Sequence, residues 1–416
     1  MNPTQLISRL ESLSPEEKTP ELTELEKELR DHGKYFNDLM TQIATTGVLT
    51  EEVKREKEER SNIVRKVGER ILFLLGLETL LEKELNLREQ YMTQMELLRK
   101  REGLLRIKDE KDPEGRNFKN IPGTVGIVEM LSDGREGYVA IDNKEYSAPT
   151  YEMIQQKFRE RCESDPVFFR KFDQQYGGGT MLLVPKGAKL THFVEQYEST
   201  LLERAQGKGL FLTDDTLETP GDQIEQCPSS DMYRGIYVNE EYCEGGKDDN
   251  ESGGTIDDAQ LLYAPTYVYG NITGGKTKED YLKEGTFPGW DILFLEKDIH
   301  IPAYEVITQE GRTRLIANES PLTYMKKLQK DPQYAGEKGM TPEEWLIFAN
   351  AIASSYGQVI DDWCGNGSIN CLIGSVLVSG SVPDGDWSRV YARANLDCVS
   401  PDLQRNNRGF RPALKM

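Results

Sequence analysis

Apolar side chains recur at intervals of three, four and seven between Glu51 and Leu105, at Val53, Ile63, Val67, Ile71, Leu74, Leu81, Leu85, Met92 and Met95. Glu, Lys and Arg crowd the positions between them. That spacing puts one apolar stripe on a helix and predicts a helical hairpin or coiled coil, which buries the stripe in a bundle or an oligomer. Thr45-Thr-Gly-Val-Leu-Thr is the expected turn before it, with Thr50 as N-cap, and Pro15 and Pro20 interrupt an earlier helical segment. Residues 1–112 are read as a helical region for oligomerisation or attachment.

The pattern changes at the charged run from Lys108 to Arg116, where Asp112-Pro-Glu-Gly has the turn chemistry of a domain boundary. Next, Gly123-Thr-Val-Gly-Ile-Val-Glu-Met-Leu and Gly137-Tyr-Val-Ala-Ile flank Ser132-Asp-Gly, the signature of a β-hairpin. Tyr151 to Tyr176 reads as helix and Gly177-Gly-Gly ends it. Residues 113–175 are expected to form a small connecting domain.

From 176 to 416 the texture is short apolar strands, many turns and two marked helices. Met181-Leu-Leu-Val-Pro leads into a helix on which Phe193, Val194, Tyr197 and Leu201 share a face. The second helix opens at Thr341-Pro-Glu-Glu. Thr341 is its N-cap, Pro342 its first residue and Glu344 the far half of a capping box, with Trp345, Phe348, Ala349 and Ile352 on one face. Gly289-Trp-Asp-Ile-Leu-Phe-Leu-Glu and Cys371-Leu-Ile-Gly-Ser-Val-Leu-Val read as core strands. The fold class is α+β.

Between Gly374-Ser-Val-Leu-Val-Ser-Gly and Gly409-Phe-Arg-Pro-Ala-Leu the regular pattern stops. Asp384, Asp386, Trp387, Arg389, Tyr391, Arg393, Asn395, Asp397, Cys398, Asp402, Gln404 and Arg405 show no shared period. This frame around irregular contents resembles the C-type lectin domains of the formylglycine-generating-enzyme type, most closely the variable proteins of diversity-generating retroelements. Gly289-Trp290, Met340-Thr-Pro-Glu-Glu-Trp and Val359-Ile-Asp-Asp-Trp fall in the order such a domain has, so the resemblance covers about 176 to 416. It implies a C-type lectin-like domain with a variable region at about 379–408, whose codons a retroelement rewrites at template adenines. Asp, Arg, Ser, Tyr, Val, Leu and Cys are all reachable from an Asn codon in that way, whereas Trp387 and Gln404 require other parent codons.

The formal charge of −20 over 416 residues excludes a broad phosphate-binding surface, so nucleic acid is not an expected partner. No stretch approaches the roughly eighteen apolar residues that span a bilayer, and the N-terminus lacks a signal-peptide pattern. Membrane insertion is not expected, and the compartment is left open, with a virion or surface association compatible. The six cysteines are too sparse for a disulfide scaffold and are read as thiols of a chain folded under reducing conditions, with a Cys364–Cys371 bridge left open.

His32, His192 and His300 lie in no metal-ligand spacing, and Asp248-Asp-Asn-Glu-Ser-Gly fails as an EF-hand because Ala259 stands where the bidentate Glu belongs. No metal and no cofactor is expected, and ligand binding is read as calcium-independent. Neither a nucleophile elbow nor a Walker loop occurs. The expectation is a non-enzymatic, hypervariable ligand-binding protein that takes a protein or another macromolecule on its variable surface and forms a homo-oligomer through its N-terminal helices. In that surface Trp387 and Tyr391 supply contact area, Arg389 and Arg393 planar hydrogen-bond donors, and Asp384, Asp386 and Asp397 charge selectivity. Leu372, Val376, Val378, Phe410 and Leu414 are expected to carry the framework, Trp290 and Trp363 the core, and Arg411 a structural contact. A phage or virus receptor-binding component without active diversification, and an oxidoreductase of the formylglycine-generating type, are the alternatives.

Overall fold

The computed structural model describes residues 18–46, 86–108, 118–176, 179–207, 236–244, 255–296, 313–362, 368–388 and 393–416, with isolated positions between them. The chain divides into two compact units, Met1–Asn86 and Leu87–Met416. In the first, helix α1 (Pro20–Thr46) sets Leu22, Leu25 and Leu29 three and four residues apart, and they pack with Leu10 and Val67. That is the stripe spacing of a helix buried along one side. Most of the heptad pattern from Glu51 onward lies outside the described residues.

The second unit is mixed α and β, with several small sheets. It begins with helical residues 87–98 (α2), then β1 (Arg101–Lys108), β2 (Phe118–Val125), β3 (Glu129–Met130), β4 (Glu136–Val139) and β5 (Glu145–Ser147). Here the helical reading to 112 is corrected: β1 is a strand, paired antiparallel with β2 from Arg101↔Val125 to Lys108↔Phe118. Charged residues interleaved with Leu suit either structure, and tertiary pairing decides. Gly103 permits the close approach, because a Cβ there would lie 2.6 Å from Ser199 Oγ, the same hydroxyl that accepts a hydrogen bond from the Leu104 amide at 3.0 Å. The expected hairpin at Ser132-Asp-Gly is present as β3–β4, with Gly134 at φ 80° in its turn and β5 added as a third strand.

Helices α3 (Tyr151–Ser164) and α4 (Pro166–Lys171) follow, divided at Asp165-Pro166. The Asp165 carboxylate accepts from the Val167 and Phe168 amides and so caps the second of them. Phe158, Phe168 and Phe172 pack on Phe294 with ring centroids 4.7–6.4 Å apart. These rings place 151–176 against the core of the second unit.

After them come β6 (Thr180–Pro185), α5 (Leu190–Gly207), β7 (Ile236–Val238), β8 (Leu261–Tyr263), β9 (Thr266–Val268), β10 (Asn271–Thr273), α6 (Lys278–Leu282) and β11 (Trp290–Leu295). The chain closes with α7 (Pro321–Lys330), β12 (Glu337–Gly339), α8 (Pro342–Tyr356), β13 (Ile369–Cys371), β14 (Ser375–Leu377), β15 (Val382–Ser388), β16 (Arg393–Val399), β17 (Arg408–Gly409) and β18 (Pro412–Lys415). A four-stranded sheet runs β12-β18-β11-β6 and a five-stranded one β17-β13-β15-β16-β7. Helix α8 lies against both, touching β6 and β15, and it also packs on α5.

The anticipated face of α5 is buried at Phe193, Val194, Tyr197 and Leu201, and Trp290 is fully buried in β11. Cys371 to Val378 is not one strand but two, β13 and β14, in different sheets. The chain turns sharply at Gly374, where a Cβ would lie 2.4 Å from the Gly339 carbonyl oxygen. Leu372, Val376, Phe410 and Leu414 are buried as expected of a framework, but Val378, just past the end of β14, is 58% exposed. Trp363 lies outside the described residues.

The capping box of α8 forms as its sequence predicts. The Glu344 amide donates to Thr341 Oγ1 at 3.4 Å, the Thr341 amide donates to Glu344 Oε2 at 3.0 Å, and Gly357 ends the helix at φ 69°. Thr341→Ala removes one half of this box and is expected to cost about 1 kcal/mol in urea unfolding of the intact chain; an unchanged midpoint would show that tertiary packing alone fixes the start of α8.

Candidate functional site

The candidate site lies on the β15–β16 ladder. All seven residues of β15 are buried, because it is the central strand of the five-stranded sheet and both of its edges are paired. Side chains alternate between the two faces of a strand, and residues directly opposite in the ladder share a face. The register therefore sorts the irregular window into two sets. Val382↔Val399, Asp384↔Asp397, Asp386↔Asn395 and Ser388↔Arg393 stand on one face, and Pro383↔Cys398, Gly385↔Leu396 and Trp387↔Ala394 on the other.

The second face belongs to the core. Gly385 lies against the Trp345 ring of α8, where a Cβ would come within 2.7 Å, and Trp387, Ala394 and Leu396 are buried beside it. Trp345 is fixed in turn by its indole N–H, which donates to Asp361 Oδ2 at 2.9 Å, while Arg411 Nη2 meets Asp361 Oδ1 at 3.2 Å. Arg411 thus makes the structural ion pair that the sequence suggests.

The first face changes character along its length. At the end of Val382, Val399 and Cys371 it is apolar and packs with Leu315, Tyr324, Met325, Tyr334 and Phe410. Toward Ser388 it becomes polar. Arg408 donates from Nε and Nη2 to Asp384 Oδ2, both at 3.0 Å, and Asn395 Nδ2 donates to Asp386 Oδ2 at 3.0 Å. Parallel pairing with β7 sets Tyr237 beside Asn395, and the Arg393 guanidinium lies 4.4 Å from the Tyr237 ring centroid while its Nε donates to Asn395 Oδ1. Asp397 accepts from Asn239 Nδ2 at 2.7 Å. Asp384 Oδ1 and Ser388 Oγ are buried with no hydrogen-bond partner among the described residues.

The expectation of a solvent-facing surface is corrected at particular residues. Asp384 and Asp386 are 0% and 3% exposed on the polar face, and Trp387 is a core residue, not a contact residue. A central strand flanked on both sides and covered by packing leaves no room for it to be otherwise. Arg393, Asn395 and Asp397 are half-buried on the polar face. Cys398 points to the other face, and its thiol reaches the Glu241 carboxylate. Asp402, Gln404 and Arg405 are exposed beyond the ladder, with Gln404 Nε2 donating to the Asn318 carbonyl at 2.6 Å. Arg389 and Tyr391 lie outside the described residues.

Ser388, Arg408 and Tyr237 belong to the polar face and were not singled out by sequence. The alternation Asp384, Asp386, Ser388 was a readable signal for the first, whereas Tyr237 is more than a hundred residues away along the chain and only the fold brings it there.

Burial dominates the electrostatics. It pushes Asp384 up to about 7, against the pull of Arg408 and with the help of Asp397. Asp386 is raised well above the ordinary carboxylate range by burial and then by its neighbour Asp384. The thiols of Cys371 and Cys398 are likewise pushed up by burial and nearby carboxylates, the reverse of what activates a nucleophilic cysteine. Among the described residues no group of three or more His, Cys, Asp or Glu side chains is arranged to hold a metal ion.

A carboxyl whose pKa is raised by folding holds a proton that the unfolded chain has released, so its contribution to stability falls as pH rises above about 4, the unfolded value. Asp386→Asn keeps the shape of the protonated acid without its charge. It is expected to raise the melting temperature more at about pH 8 than at about pH 5; an equal shift at both would show that Asp386 titrates as an ordinary carboxylate. Comparison of the chain with protein-family models, with curated proteins and with solved structures finds no match.

Proposed function

We propose that the protein is a hypervariable ligand-binding protein. In this reading residues 176–416 form a C-type lectin-like domain of the retroelement-variable type, and the half-buried Arg393, Asn395 and Asp397 of β16, with the exposed segment after them, receive a protein or other macromolecular ligand. The observation that carries the reading is the sorting of the window. Asp384, Asp386, Arg393, Asn395 and Asp397 come from an aperiodic sequence, yet the register puts them on one face, toward the end that lies away from the apolar cluster of Val382 and Val399. A face that holds no core residue at its polar end can change without removing the apolar burial that stabilises the sheet. The half-buried Arg393 on Tyr237, flanked by Asn395 and Asp397, has the amphipathic and hydrogen-bonding character of a protein-contacting patch. In the same reading the first unit serves attachment or self-association.

The oxidoreductase alternative draws no support from Cys371 or Cys398, whose thiols burial keeps protonated. A receptor-binding component with a fixed surface differs from the proposal only in whether the face varies. Sequencing the locus across a natural population separates them: the proposal expects substitutions to gather at Asp386, Arg393, Asn395, Asp397, Asp402 and Arg405, with Gly385, Trp387, Gly409, Phe410 and Arg411 constant. A locus uniform at all of these positions overturns active diversification.

A further inference from the structure

Away from this face, Lys186 and Asp291 form an ion pair with both side chains 0% exposed, Nζ to Oδ2 at 3.3 Å. They sit where β6 ends against β11, next to the pair Trp290↔Pro185. The Lys186 backbone is locked there: its amide donates to the Gly289 carbonyl at 3.0 Å, and Tyr138 OH both donates to that carbonyl and accepts from the Gly187 amide. The Lys186 Nζ lies 3.6 Å from the centroid of the buried Tyr281 ring. Despite their proximity, neither Lys186 Nζ nor Asp291 Oδ2 has an aligned hydrogen-bond partner among the described residues.

The two oxygens of Asp291 are treated differently. Oδ1 accepts from the Thr286 amide at 2.8 Å, stands 3.2 Å from Thr286 Oγ1 and 3.2 Å from Lys415 Nζ. Oδ2 has only the unaligned amine. Donors gathered on one carboxyl oxygen stabilise charge that develops there when the carbon is attacked, and the bare oxygen is the one free to leave. Burial pushes Lys186 down to about 8, against the pull of Asp291, which favours the neutral amine more than at an exposed lysine. Burial pushes Asp291 up, but Lys338, Lys186, Lys415 and the Thr286 amide together hold it below the ordinary carboxylate range.

We propose that Lys186 and Asp291 condense to an intramolecular isopeptide bond. The Lys186 ammonium passes one proton to Oδ2, and the neutral Nζ then attacks Cγ, placing negative charge on Oδ1 among Thr286 and Lys415. A second proton moves from nitrogen to Oδ2, the Cγ–Oδ2 bond breaks and water leaves. Ammonium plus carboxylate become amide plus water, with no oxidant and no further reactant. Fixed proximity replaces a bimolecular encounter, and the product removes a buried ion pair that is not aligned as a hydrogen bond. The neighbouring Lys278 marks the contrast. Its Nζ contacts both Asp258 and Glu343, and those carboxylates raise its pKa despite burial, so it stays an ammonium ion in a satisfied ion-pair network.

Intact-mass spectrometry of the purified full-length chain, held folded for a day at mildly alkaline pH, tests the proposal. The expected result is a mass lower than that of the sequence by one water, a branched peptide joining the fragments that contain Lys186 and Asp291, and the full sequence mass for Lys186→Arg. A native chain at full sequence mass overturns the proposal, as does a water loss that maps elsewhere, such as the Asp133-Gly134 bond.

Discussion

A strand shows alternate residues to opposite faces, and β15 has a partner along both edges, so none of its side chains can escape that division. The rest of the second unit is arranged around this constraint. On the core face Gly385 makes room for Trp345, and Trp345 is tied through Asp361 to Arg411 next to the last strand. Helix α8, the five-stranded sheet and the C-terminal segment are thereby fixed to one another by an indole, a carboxylate and a guanidinium that are all buried. The opposite face is left with Asp384, Asp386, Ser388 and the side chains across from them.

Charge is buried in this unit in two ways that have different consequences. Around Asp258, Lys278 and Glu343, and around Lys338 and Glu344, each cation has carboxylate partners close enough to keep it charged. At Asp386 and at Lys186 the partners are fewer than the charge requires, and burial shifts the protonation equilibrium instead. Such sites are where a proton is most readily exchanged.

Local chemistry was legible wherever it was decided locally. Thr341-Pro-Glu-Glu specifies a helix start through its own hydrogen bonds, and Ser132-Asp-Gly specifies a turn through the φ that Gly134 accepts. What failed was decided at a distance. Arg101–Lys108 carries no pattern that separates strand from helix, and β2 settles the matter. The irregular window hid a period of two because two strands of opposite direction were read as one stretch: polar residues are even-numbered in β15 and odd-numbered in β16. Trp387 looked like a contact residue because an aromatic among charged residues resembles a binding patch, and only its place opposite Ala394 shows it to be core.

The central claim is that the face of the β15–β16 ladder carrying Gly385, Trp387, Ala394 and Leu396 holds the fold, whereas the polar end of the opposite face, from Asp386 and Asn395 to Arg393, is free to vary. Its most direct measurement is a saturation scan of β15 and β16 in the full chain, read by resistance to proteolysis. The account predicts broad tolerance at Asp386, Arg393, Asn395 and Asp397 and loss of the folded state for most changes at Gly385, Trp387, Ala394 and Leu396. Equal tolerance on both faces, or intolerance confined to the polar one, would contradict it.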